Sequence, residues 1–138
     1  MGVGGLGALR ALAALAFLFS GSVQAAPLEA DMARRLCVGM ILEYRLSNGA
    51  RVDCLSPDYA IEVDWTEKWA EAIGQALYYA AETDRKPAVI LICHQAPLTC
   101  LLHIFRFETT VALWRLPITT WRCEVSANSR ADCLETRR

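Results

Sequence analysis

Apolar positions along this chain fall into blocks with different periods. Leu28, Met32, Leu36, Met40 and Ile41 recur near the 3.6-residue period, with Arg34 and Arg35 on another side. This predicts a helix of about three turns over 28–42, with Glu43 at or just past its end. The segment 44–55 reads as two short strands about Asn48-Gly49, a pair suited to the positive φ values of a type I′ turn. Ser56-Pro57-Asp58 marks a second turn, and a third strand follows over 59–64. Helix formers run from Trp65 to Ala81, with Asp64 and Glu67 spaced as a capping box at the start. Ala88 to Cys93 is uninterrupted and apolar, as expected of a strand buried on both faces. A helix over 97–107 with Pro97 near its start, a strand over 111–116 and a polar tail over 117–138 complete the pattern.

The predicted order is α-β-β-β-α-β-α-β, with no internal repeat after the first 25 residues. A hairpin delivers the third strand and a crossover helix then leads to a buried one. This implies an α/β or α+β fold in which helices flank a mixed central sheet.

Met1 to Ala25 differs from the rest. Arg10 is its only charge, an apolar run follows to Phe19, and Ser20-Gly21-Ser22-Val23-Gln24-Ala25 supplies the short residues of a cleavage site. This is the grammar of a secretory signal peptide, and the run is too short to span a membrane. Residues 26–138 are then expected to form one exported domain, periplasmic or secreted. Export permits disulfides, and the six cysteines are an even number. They allow fifteen connectivities; short loops make Cys93 with Cys100 and Cys123 with Cys133 the simplest pairs, leaving Cys37 with Cys54. A buried free thiol is the competing reading for Cys54. With no C-x-x-C pair, a cysteine-ligated zinc site is disfavoured, and His94 and His103 fit no zinc-ligand spacing.

Charge changes the picture through placement rather than amount. Fourteen bases against fifteen acids exclude binding of nucleic acid by bulk basicity. Yet Glu43, Asp53, Asp58, Glu62, Asp64, Glu67 and Glu71 crowd one segment against only Arg45, Arg51 and Lys68. Glu62 and Asp64 share one face of their strand, and pairing of the second and third strands would bring Asp53 beside Glu62. Like charges so placed destabilise a sheet unless a cation lies between them. A hard divalent ion, Mg2+ or Mn2+, favours such oxygen ligands and would stabilise charge developing on a phosphodiester. Asp53, Glu62 and the Val63 carbonyl are the candidate metal ligands, with Glu43 in support. Lys68, Glu71 and Gln75 form one stripe on the following helix. From it Lys68 would hold water or phosphate, and Gln75 would orient a ligand. His94, just past a strand end, is a minor candidate for proton transfer.

Asn48 to Asp53, Tyr59 to Asp64 and Lys68 to Gln75, in that order and spacing, resemble the core of the PD-(D/E)XK nuclease superfamily. That group includes restriction endonucleases and Holliday junction resolvases. The likeness covers about 36–93. It implies a restriction-endonuclease-like, disulfide-stapled fold, with Glu43, Asp53, Glu62 and Gln75 in the family's acidic and glutamine roles. Val52 stands in place of the name-giving proline. Asp64 stands in the lysine position, a role the resemblance would pass to Lys68 on the next helix. The implied function is metal-dependent hydrolysis of DNA or RNA. The alternatives are a catalytically inactive module of this fold that binds nucleic acid or protein, and a small secreted disulfide-rich interaction protein.

Overall fold

The computed structural model describes Met1, Gly2 and residues 27–138; the leader expected over 1–25 lies, but for its first two residues, outside them. Six strands form one mixed sheet in sequential order: β1 (Ile41–Arg45), β2 (Arg51–Leu55), β3 (Tyr59–Trp65), β4 (Lys86–Cys93), β5 (Thr119–Glu124) and β6 (Leu134–Thr136). The β1–β2–β3 meander is antiparallel, β3–β4 and β4–β5 are parallel, and β6 returns antiparallel. The α1 helix (Glu29–Leu36) covers one face of the sheet; α2 (Trp69–Thr83) and α3 (Pro97–Leu113) cover the other. The protein is thus α+β, and no helix among the described residues is long and apolar enough to cross a membrane.

Two cores follow from strand alternation. Ile61, Val63, Ala88, Ile90 and Ile92 pack with Met32 and Leu36 of α1. Val89 and Leu91 pack with Ala72 and Ala76 of α2 and with Phe107 and Val111 of α3. The continuous apolar run of β4 feeds both, as a central parallel strand must. Three disulfides, Cys37–Cys54, Cys93–Cys100 and Cys123–Cys133, leave no free thiol among the described residues. Cys54 is therefore bonded, and the set is consistent with an oxidising, exported environment.

Four local expectations are corrected. The first helix ends at Leu36 rather than running to 42: Cys37 caps it and is tied to β2, and Gly39 turns the chain at φ 82°. Met40 to Leu42, at helical spacing in the sequence, thus lead into or belong to β1. The Asn48-Gly49 turn is not type I′, since Gly49 alone of the pair has positive φ. The Gly49 N–H bonds the Leu46 carbonyl and the Leu46 N–H bonds that of Ala50, a turn closed by a left-handed glycine. Residues 111–116 are not a strand, because Cys100, Phe107 and Val111 continue the buried stripe of α3 to Leu113. The missing strand is β5, inside the expected polar tail: Thr119, Thr120, Trp121 and Cys123 are buried against β4.

Candidate functional site

The sheet opens where β2 meets β3. Their ladder holds at Cys54–Ile61 and Leu55–Ala60, and beyond it Asp53 Oδ2 accepts the Val63 N–H at 2.8 Å. A carboxylate has replaced the backbone acceptor. Alternation slips at the same point: Val52 and Leu55 both pack with Ala60 and Tyr79, although residues three apart in an unbroken strand face opposite ways. Across the fork on β1, Glu43 has a φ of 50°, a further irregularity in the meander. A strand residue's N–H and carbonyl point to one side, so the Val63 carbonyl also faces β2.

Glu62 and Asp64 are buried in β3, with 5% and 3% of their surface exposed. Burial, with Asp53 and Asp64 beside it, pushes the Glu62 carboxyl up to about 10. Asp53 is raised chiefly by burial, against the pull of the Val63 N–H, and it lies within hydrogen-bonding reach of Glu62. Asp64 is raised to about 7, by burial first and then by Glu29. Such a set cannot be fully ionised without a compensating cation. Glu62 Oε2 is buried and has no hydrogen-bond partner.

Positive charge reaches Asp64 from Lys68 and Asp53 from Arg51. The Lys68 ammonium stands 3.4 Å from Asp64 Oδ1 and 3.5 Å from Glu29 Oε2, and the Asp64 carboxylate raises it above the ordinary lysine value. Gln75 Nε2 donates to the Tyr79 hydroxyl at 3.3 Å, and that hydroxyl is raised by burial and by the nearby Glu62 and Asp53. Gln75 therefore meets the acids through Tyr79. Glu43 lies on β1 instead of a helix end, is exposed, and pairs with Arg51 at 3.1 Å. It does line the same open cavity, of about 270 Å3, as Glu29, Asp53, Arg34 and Arg51.

Asp53 and Glu62 are thus brought together at the fork, Lys68 is tied to it through Asp64 and Glu29, Gln75 through Tyr79, and Glu43 stands at the rim of the adjoining cavity. Three further participants were missed. Glu29 shares the α1 stripe of Met32, Ala33 and Leu36 at intervals of three, four and seven, a spacing visible in the sequence. Asp64 was assigned to a helix cap, but its Oδ1 accepts the N–H of Trp65 and the helix end has no side-chain cap. Tyr79 lies one turn beyond Gln75. Glu67, the other half of the expected capping box, bonds His94 Nε2 at 2.7 Å, with His94 against the Trp65 ring. Burial is the largest single influence on Glu67 and opposes its ionisation, but the bond to His94, its own backbone N–H and the nearby histidines together hold the carboxyl below its ordinary value.

All donors in the fork are hard oxygens, the chemistry that suits Mg2+ or Mn2+, and the unpartnered Glu62 Oε2 fits that set. As they stand, no three His, Cys, Asp or Glu side chains among the described residues converge as ready-made ligands. No family model matches the chain, and no curated protein or solved structure is found to be significantly similar to it.

Proposed function

We propose that this protein is an exported, divalent-metal-dependent nuclease built on a restriction-endonuclease-like framework. The observation that carries the reading is the cluster of buried Glu62 and Asp64 with half-buried Asp53 in a split sheet, with one side chain raised to about 10 and one oxygen unpartnered. A sheet tolerates that arrangement at neutral pH by keeping protons or by holding a cation. Asp53, Glu62 and the Val63 carbonyl would hold Mg2+ or Mn2+, with Asp64 and Glu29 behind them. The ion would acidify a bound water and stabilise charge on the phosphodiester.

The chain's own groups fit the remaining tasks. Lys68 bridges Asp64 and Glu29 and keeps a cation in the fork, which answers the loss of lysine at position 64. From there its ammonium would hold water or the scissile phosphate. Gln75 orients the Tyr79 hydroxyl beside the acids. Arg34 and Arg51 line the adjoining cavity in exposed ion pairs, weak enough to be exchanged for phosphate. Three disulfides accord with export by the N-terminal leader.

The competing reading is an inactive module of the same framework, favoured by the lack of convergent ligands among the described residues. Cleavage of labelled DNA and RNA with Mg2+, with Mn2+ and with chelator separates the two. The nuclease reading expects metal-dependent cleavage, reduced by Asp53→Ala and by Glu62→Ala beyond the ~10–100-fold that outer-shell losses cost. Nucleic-acid binding without cleavage by the folded wild type would move the assignment to the inactive module.

A further inference from the structure

The outward face of α3 carries an apolar stripe that the fold does not use. Cys100, Phe107 and Val111 turn inward. On the opposite side Leu98, Leu101, Leu102, Phe105 and Leu113 are 52–75% exposed, and Thr109 and Ala112 are exposed between them. Their spacing follows the helical period, so they form one band along a helix roughly 25 Å long. No charged residue interrupts it; Arg106 and Glu108 stand on its two flanks. The stripe leaves roughly 600 Å2 of apolar surface in solvent, at the upper limit for the largest patch of a typical monomer.

We propose that this stripe is the interface of a two-fold dimer in which α3 packs antiparallel against α3 of a second copy. Two observations select this occupant. The band is graded over most of its length: its N-terminal half bears Leu98, Leu101 and Leu102, whereas beyond Phe105 come Thr109 and Ala112 before Leu113 closes it at the helix end. An antiparallel pair centred on Phe105 sets Leu98 and Leu101 of each helix on Ala112 and Thr109 of the other. That alternation of large and small is what close packing requires, and a two-fold axis produces it twice. The area also suffices. Two such faces bury roughly 1,200 Å2 together, the threshold for a specific association. The interface lies on the helix side of the sheet and does not depend on the carboxyl fork.

Sedimentation velocity on the purified chain at micromolar concentration tests this. The wild type is expected to sediment as a dimer. Phe105→Glu and Leu101→Glu should each halve the mass, with far-UV circular dichroism and the three disulfides unchanged. Leu134→Glu, a change of an exposed leucine on the edge strand β6, should leave the dimer intact. A monomeric wild type overturns the proposal, including one that instead floats with phospholipid vesicles. So does a dimer that survives Phe105→Glu, or one that is lost with Leu134→Glu.

Discussion

Strands β3 and β4 are parallel neighbours in register, and they are built on opposite principles. Glu62 pairs with Val89 and Asp64 with Leu91, so the same positions hold carboxyls in one strand and aliphatics in the next. All four residues are buried. On β4 the side chains join the helix-covered core and stabilise the fold. On β3 they are raised far above ordinary carboxyl values and, as they stand, weaken it. The difference teaches which strand this sheet leaves with ionisable groups to satisfy. Strain is confined to a strand whose outer neighbour splits away, and the aliphatic strand beside it carries the cost.

The largest expected effect comes from moving an acid one strand over. Leu91→Asp should prevent folding, seen as loss of soluble, disulfide-complete protein. β4 has no fork through which a charge meets a partner, and burying one unpaired costs more than ~3 kcal/mol. Tolerance of that change would erase the distinction between the strands.

The converse change should help the fold. A carboxyl near 10 in the folded state and near 4.5 in the unfolded state binds its proton more tightly when folded. Its share of stability is therefore present below about 4.5 and lost as pH rises toward 10. At neutral pH Glu62→Gln should raise metal-free stability by about 3 kcal/mol in urea denaturation, with the gain vanishing near pH 4. A Glu62→Gln protein no more stable than wild type would mean that β3 is not strained.

Metal should produce the next effect. Saturating Mn2+ is expected to stabilise the wild type by ~1–3 kcal/mol, read as a rise of several degrees in Tm. Glu62→Gln should show little response. An equal rise in both would place the ion elsewhere. The smallest effect belongs to the Glu67–His94 pair just past the C-terminal ends of the same two strands. Glu67→Gln should cost ~0.5–1 kcal/mol, the scale of a partly exposed pair, without changing the metal response.

The sequence made the two strands legible to different degrees. The β4 run from Ala88 to Cys93 followed from composition; short loops made Cys93–Cys100 and Cys123–Cys133 the simplest disulfide pairs, while Cys37–Cys54 was what remained, against a free Cys54. The approach of Asp53 to Glu62 followed from strand order. The role of Asp64 did not, because an acid three residues before Glu67 at a helix start has a good local explanation. Only the tertiary position of Glu29, joined to Asp64 through Lys68, overrides it. Glu43 was misplaced because Met40 and Ile41 extend the helical period of α1 past the point where Cys37 and Gly39 end the helix. Strand β5 was missed because its threonines and Trp121 follow a proline in a polar stretch, and their burial depends on β4, far away in sequence.

The most direct test is calorimetric titration of the folded wild type with Mn2+ at neutral pH, alongside Asp53→Ala and Glu62→Gln. Saturable binding by the wild type and its loss in both variants is the result expected of a cation site in the fork. A wild type that takes up no Mn2+, or variants that bind it as well as the wild type does, would contradict the assignment of the buried carboxyls as a metal centre.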